Sequence, residues 1–273
     1  MITLFLLLTG LIAAVVGSLV GLGGGIIIVP MLIFLGIELN MLEGITPQTA
    51  IGTSSMVLVF IGLSSIISYN RSKQVDIKNG MYFIIGAIPG AFLGSYTSGL
   101  FTIDSMRIYF GLFIILVSFI LIFRDKIKPS RMFQNEKYIK PHTDGKGEVH
   151  YYGFPPYIGI AGSFIAGFTS GLFGVGGGAL MTPMMILLFL MPPSIAVGTS
   201  MFIVFFSSLG GAMGHMFQGN INYLYAAVLI PAAYIGAKIG VRINRKFSSD
   251  AIVTALRVVL LLLGLYMIVQ GFS

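Results

Sequence analysis

Apolar residues run along this 273-residue chain in long blocks separated by short polar stretches. In the first half the blocks fall at about 2–21, 26–37, 46–69, 79–99 and 106–123; in the second, at about 155–173, 179–191, 194–215, 221–241 and 251–271. Most approach the ~20 residues that carry a helix across ~30 Å of hydrocarbon. The second block of each half is too short, because a dozen residues rising 1.5 Å each cover only roughly 18 Å. The one long polar stretch, Arg124 to Phe154, separates the two sets of five and reads as a solvated connector.

The two sets repeat each other. Gly21-Leu-Gly-Gly-Gly25, followed by Pro30, returns as Gly174-Val-Gly-Gly-Gly178, followed by Pro183. Pro47-Gln-Thr-Ala-Ile-Gly-Thr-Ser54 returns as Pro193-Ser-Ile-Ala-Val-Gly-Thr-Ser200. Val75-Asp76 matches Ile221-Asn222; Pro89, Gly90 and Gly94 match Pro231, Ala232 and Gly236; Arg107 matches Arg257. The order and the nearly constant spacing mark an internal repeat.

Composition points to the solvent. Hydrophobic residues make up 56% of the chain and charged ones 9%, against roughly a quarter charged in soluble domains. So few charges cannot cover a water-facing surface, and a lipid bilayer suits them. Net charge is +7, but the basic residues sit in loops, which reads as topological bias rather than a nucleic-acid surface. With no cysteine, disulfides, thiolate catalysis and zinc–thiolate sites are excluded. The first block lacks a basic leader region and a clear cleavage site, and the repeat requires it, so it is expected to stay in the mature protein.

Lys and Arg positions then orient the spans, since cytoplasmic loops carry the basic excess. Arg71, Lys73 and Lys78 mark one inside loop; Arg124, Lys126, Lys128, Arg131, Lys137, Lys140 and Lys146 mark the connector; Lys238, Arg242, Arg245 and Lys246 mark a third. The loops near Glu38–Glu43 and Asp104 read as outside. Residues 154 and 192 are then both inside, so the first two blocks of each half form a hairpin, either spanning twice or re-entrant. The expected fold is all-α, a polytopic helical membrane protein with two inverted repeats, each a Gly-broken hairpin plus three transmembrane helices. Its parts are a first repeat at 1–123, a cytoplasmic connector at 124–154 and a second repeat at 155–273, with both termini external. Many secondary transporters are built this way, with the site near the midplane.

Candidate chemistry is sparse. All nine acids fall in loops or at segment ends, so no span carries the buried carboxylate of a familiar ion relay. Gly174-x-Gly176-x-x-Ala179 has the letters of a dinucleotide fingerprint without its strand and acid. The glycine runs either make tight hairpin turns only, or expose backbone N–H groups and a short helix N-terminus to an anion. The hydroxyls of Gly-Thr-Ser either bond the carbonyl four residues back or line a polar pocket beside the glycines. Gly90-x-x-x-Gly94-x-x-x-Ser98 and Ala232-x-x-x-Gly236-x-x-x-Gly240 read as helix-packing ridges. His215 reads as a surface or capping residue or a proton-coupling group; Arg107 is expected to snorkel, and Arg257 to face a cavity.

The two glycine-rich stretches, the repeated Gly-Thr-Ser and Gly214-His215-x-x-Gln218-Gly219-x-Ile221 resemble the TauE/SafE sulfite-exporter family, also called the toluene-sulfonate uptake permease family. The resemblance covers nearly the whole chain outside 124–154. It implies a multi-spanning carrier for sulfur-containing or organic anions. The chain departs from it at Asn222, where the resemblance leads to an aspartate, while the first half keeps Asp76. The expected function is secondary transport of a small anion, sulfite or an organosulfonate/organic anion, across the plasma membrane by alternating access, with no cofactor, metal or enzymatic activity. An anion channel is one alternative. A membrane-embedded enzyme is another, disfavoured because no Cys, His cluster or buried acid offers an acid–base or metal set. The expected substrate-binding residues are Gly23, Gly24, Gly25, Thr53, Ser54, Gly176, Gly177, Gly178, Thr199 and Ser200, with His215 and Arg257 in coupling or gating.

Overall fold

The computed structural model describes residues 2–123, 138–143, 147–246 and 250–272. Each half holds five α-helices: α1 (Ile2–Val20), α2 (Gly25–Ile33), α3 (Pro47–Asn70), α4 (Ile77–Ser98) and α5 (Ile103–Phe123), then α6 (Pro156–Phe173), α7 (Gly178–Leu187), α8 (Pro193–Phe217), α9 (Tyr223–Lys246) and α10 (Asp250–Phe272). A π-helical turn, Phe34–Glu38, extends α2. Strands β1 (Lys140–Thr143) and β2 (Val149–Tyr152) pair antiparallel between the halves, Lys140 opposite Tyr152. Helices α1, α3, α5, α6, α8 and α9 are long and apolar enough to cross a bilayer; α4 has the length, but Lys78 and Asn79 in its first turn and four glycines dilute it. The chain is a helical, multi-pass membrane protein.

Pro47 and Pro193 open α3 and α8 at the position where a missing N–H costs nothing. Thr46 completes a capping box on α3: its hydroxyl accepts from the Thr49 amide at 3.2 Å, and Thr49 Oγ1 accepts from the Thr46 amide at 2.7 Å.

Small residues decide which helices touch. Gly86, Gly90 and Gly94 of α4 lie on the backbone of α6 at Ile160, Phe164 and Phe168, while Gly167 and Gly171 of α6 lie on Ala87 and Ala91. Gly236 and Gly240 of α9 lie on α1 at Leu11 and Val15. The ridges legible in the sequence are thus packing faces, where close backbone approach replaces the hydrophobic drive that lipid removes. In both pairs the residue numbers rise together, so the partners run parallel.

The central pair runs the other way. Gly52 of α3 meets Asn220 just past the end of α8, and Gly62 meets Phe205. Helices α5 and α10 are also antiparallel, Gly111 on Gly264 and Gly271 on Asp104. The main contacts of one half have their counterparts: α1 with α9 mirrors α6 with α4, and α3 with α9 mirrors α8 with α4. The equivalent helices α3 and α8, and likewise α5 and α10, therefore run antiparallel.

One end of the bundle is basic. Tyr69 Oη donates to Ser18 O at 2.8 Å, and Asn244 Nδ2 to Leu19 O at 2.7 Å, which gathers the ends of α1, α3 and α9 with Arg71, Lys73, Arg242 and Arg245. The β-hairpin lies at this end, His142 Nε2 standing 3.4 Å from Lys73 O. Glu38, Asp104, the start of α1 and the end of α10 lie at the other. Arg107, expected to snorkel, instead pairs there with Glu38 and donates to Gln270 O at 3.2 Å, tying α5 to the π-helical turn and to α10. Of the connector's basic residues, Arg124, Lys126, Lys128, Arg131, Lys137 and Lys146 lie outside the described residues.

Candidate functional site

Two glycine turns meet in the core. The first leaves α1 through Gly21, Gly23 and Gly24, at φ 83°, 101° and 101°; the second leaves α6 through Gly174 and Gly176, at φ 66° and 90°. Side chains are strained in that left-handed region, which is why glycines stand there. The turns pack on each other: Gly25 on the Gly174 carbonyl, Gly178 on the Gly21 carbonyl, Gly23 on the Val175 carbonyl. Leu58 of α3 and Val204 of α8 fill the space beside them, Leu58 against Gly23 and Gly25, Val204 against Gly176 and Gly178. Short helices α2 and α7 start at this junction, and a helix start leaves its first amides without intrahelical acceptors. Gly177 N–H donates to Ser207 Oγ at 3.3 Å; among the described residues the amides of Gly24, Gly25, Gly176 and Gly178 have no acceptor.

The repeated Gly-Thr-Ser holds this junction together, one residue per task. Glycine lets a strand of backbone approach: Gly52 lies on the Asn220 carbonyl and Gly198 on the Gln74 carbonyl. Threonine accepts the amide two residues further along that stretch, Asn222 N–H to Thr53 Oγ1 and Asp76 N–H to Thr199 Oγ1, each at 3.0 Å. Serine donates to a glycine-turn carbonyl, Ser54 Oγ to Gly174 O at 2.8 Å and Ser200 Oγ to Gly21 O at 2.9 Å. The serines thus spend their protons on main chain, although Ser200 Oγ also lies 2.7 Å from Val197 O. The threonines accept, and keep a proton to give. Thr182 adds a second bond to Gly21 O at 3.0 Å. All ten expected binding residues are buried; the glycines and the two serines share the junction, whereas Thr53 and Thr199 lie on opposite sides of it, one beside Asn222 past the end of α8 and the other beside Asp76 past the end of α3.

Asp76 and Asn222 are both helix N-caps. Asp76 Oδ1 accepts the Asn79 amide at 3.1 Å, and Asn222 Oδ1 the Tyr225 amide at 3.2 Å. Asp and Asn cap about equally well, so the departure at Asn222 preserves this task. Asp76 does more: its Oδ2 accepts Asn79 Nδ2 at 2.6 Å and Tyr152 Oη at 2.8 Å. Burial, then the neighbouring Asp76 charge and their hydrogen bond, push the Tyr152 phenol well above its ordinary range, so it stays a donor.

His215 is fully buried, not a surface or capping residue. Its Nε2 bonds Gly171 O at 2.9 Å, which places the proton on Nε2, and Nδ1 has no partner among the described residues. Its counterpart in the first half is Tyr69, whose hydroxyl reaches Ser18 O, the counterpart of Gly171. Arg257 lies away from the glycine turns, on α10, where Ser118 Oγ donates to its carbonyl at 2.8 Å. Among the described residues no group of three or more His, Cys, Asp or Glu could hold a metal ion. Sequence reasoning missed Tyr152, Thr182, Leu58 and Val204; only Leu58 and Val204, equally placed after the two Gly-Thr-Ser motifs, left a signal that repeat alignment could have raised.

Residues 6–267 match the family described as sulfite exporter TauE/SafE. The chain belongs to the TauE/SafE family. Among TauE/SafE relatives and similar proteins, it is 47% identical over 266 residues to "Probable membrane transporter protein YunE" of Bacillus subtilis (strain 168), covering 97% of each chain. It is 30% identical over 278 residues to "Probable membrane transporter protein MJ0441" of Methanocaldococcus jannaschii, covering 96% of this chain and 94% of that one. A shorter stretch of 87 residues is 30% identical to "Sulfite exporter TauE/SafE family protein 3" of Arabidopsis thaliana. No solved structure matches the TauE/SafE chain described here.

Proposed function

We propose that this protein is a secondary transporter that carries a small anion, sulfite or an organosulfonate or related organic anion, across the plasma membrane by alternating access. The observation that carries this reading is the junction of the two glycine turns. Among the described residues the amides of Gly24, Gly25, Gly176 and Gly178 at the starts of two short helices have no acceptor, and Thr53 and Thr199 flank the junction on either side, each one residue before a serine that bonds it. Amides and helix N-termini favour an anion, and hydroxyls add donors without burying a cation. The site is Gly23, Gly24, Gly25, Thr53, Ser54, Gly176, Gly177, Gly178, Thr199 and Ser200. Since all are buried, an anion reaches them only when the halves move, as alternating access requires.

The antiparallel run of equivalent helices supports inverted repeats: helices that stand across a bilayer can be antiparallel equivalents only about an axis in its plane. The basic end, with the connector hairpin, is the cytoplasmic face, and both termini are external. His215, buried on α8 with Nδ1 free, is the coupling candidate. Arg257 belongs to gating at the periphery.

The test is uptake into proteoliposomes of sulfite, methanesulfonate, isethionate and acetate, with counterflow. Saturable sulfite or sulfonate uptake with counterflow is expected. Uptake that is linear in concentration and shows no counterflow would mean a channel. Binding of none of these anions would remove the anion reading.

A further inference from the structure

We infer that the paired strands of the connector, β1 and β2, are a latch on the basic end that must release before the buried core opens on that side. Two four-residue strands are marginal in water by themselves, so what holds them is the question. Three anchors do. Tyr152, 1% exposed, donates to Asp76 Oδ2 at 2.8 Å. Phe154, two residues past the end of β2, stacks on Phe189 at 4.1 Å and on Phe83 at 5.0 Å. His142 Nε2 lies 3.4 Å from Lys73 O.

Between the hairpin and the first turns of α4 lies a cavity of about 660 Å³, lined by Val75, Asp76, Asn79, Tyr82, His142 and Tyr152 among others. Asp76 belongs to two assemblies. Its carboxylate faces the hairpin, and its amide donates to Thr199 Oγ1 at 3.0 Å. Thr199 is followed by Ser200, which bonds the Gly21 turn. The floor of the cavity is therefore one hydrogen bond from the junction, and the hairpin is its removable wall.

The device is one-sided. The other half has a cap at the same place, Asn222, and the equivalent threonine, Thr53, but among the described residues Asn222 Oδ1 accepts only from its own helix start. The latch is a neutral phenol on a carboxylate that makes no ion pair among the described residues, although Lys78 lines the same cavity, so it can part without separating two opposite charges.

The absence of cysteine makes the test clean. Val75, 6% exposed on the cavity wall, is replaced by cysteine, and labelling by a water-soluble maleimide is timed with and without Tyr152→Phe. Phenylalanine keeps the ring and removes only the bond. Labelling is expected to quicken roughly tenfold or more, the factor that one lost bond to a charged group makes in an equilibrium. An unchanged rate in a variant that stays folded by circular dichroism overturns the latch. A second arm ties the hairpin down with a bis-maleimide between Lys78→Cys and Thr143→Cys, which share the cavity. Sulfite uptake should stop in the cross-linked protein and persist in each single variant; uptake that continues through the cross-link overturns the gating role. The consequence for transport rests on the junction being the substrate site, whereas the labelling arm does not: if sulfite is not a substrate, labelling still decides the latch.

Discussion

Neighbouring glycines at the start of α7 should respond oppositely to the same substitution. A Cβ on Gly178 would overlap the Gly21 carbonyl oxygen and lie 2.8 Å from Val204 Cγ2. A Cβ on Gly177 would lie 3.2 Å from Ser207 Oγ and 3.5 Å from Ala166 O, at a φ of −61° that alanine adopts freely. Gly178→Ala must push the turns apart by roughly 1 Å, overpacking of a kind that costs about 1–3 kcal/mol. The shift also stretches the Thr182 and Ser200 bonds to Gly21 O, each worth about 0.5–1.5 kcal/mol. The sum is about 2–6 kcal/mol. Gly177→Ala needs only a small movement of a serine hydroxyl, and gains about 0.4–1 kcal/mol by restricting the unfolded chain. The chain has neither tryptophan nor cysteine, so the assay is thermal unfolding in detergent followed by circular dichroism at 222 nm or by size-exclusion of a fluorescent fusion. Gly25→Ala, on the Gly174 carbonyl, should behave like Gly178→Ala. Equal melting temperatures for the Gly177 and Gly178 variants would refute the packed junction. Gly24→Val is a poor probe of binding, because φ 101° and the Ala13 carbonyl make it a folding lesion first.

Three further outcomes follow from the same contacts. Thr53→Val and Thr199→Val leave the Asn222 and Asp76 amides without their acceptor, so each should lose about 1–3 kcal/mol of stability as well as anion affinity, and Thr→Ser should restore both; near-native affinity in the double valine variant would remove the threonines from the site. His215→Gln should flatten the pH dependence of uptake if His215 carries the coupled proton, and an unchanged profile rules out that route. Lys140→Cys should react with an impermeant maleimide from the cytoplasmic face only, and labelling from outside intact cells would overturn the orientation.

The helices were legible because their cause is visible in single letters: apolar blocks of bilayer length, broken by glycine runs and opened by proline. The meeting of the glycine turns was legible through the repeat. What Gly-Thr-Ser does there was not, because its partners are the carbonyls of Gly21, Gly174, Gln74 and Asn220 and the amides of Asp76 and Asn222. Main-chain atoms have no letter of their own. Tyr69 and His215 do one task with different chemistry, so letter matching passes over them. The ion pair of Arg107 with Glu38 spans 69 positions, beyond the reach of any local pattern. The hairpin was hidden by its shortness, four residues a strand inside a polar stretch that reads as linker.

Why one half keeps an acid where the other has an amide follows from the hydrogen bonds rather than from the cap. At a cap the two are nearly equivalent, and Asn222 performs that task alone. Asp76 Oδ2 accepts from two donors, Asn79 Nδ2 and Tyr152 Oη. An asparagine at 76 that keeps its oxygen on the Asn79 amide turns its own NH₂ toward those donors. The Asn79 side chain then loses its acceptor, and the tyrosine, if it turns to accept, holds a neutral bond about half as strong as the charged one. Asp76→Asn should therefore leave α4 capped and folding nearly unchanged. The latch should weaken by about 0.8–1.5 kcal/mol, half the worth of a bond to a charged group. Labelling at Val75→Cys should quicken, though less than with Tyr152→Phe, and the double variant should label no faster than Tyr152→Phe alone, since both act on one interaction. Asn222→Asp should change neither stability nor labelling by a comparable amount. If Asp76→Asn labels at the native rate while Tyr152→Phe labels fast, the ring hydroxyl acts through some other group, and the carboxylate is a cap and nothing more.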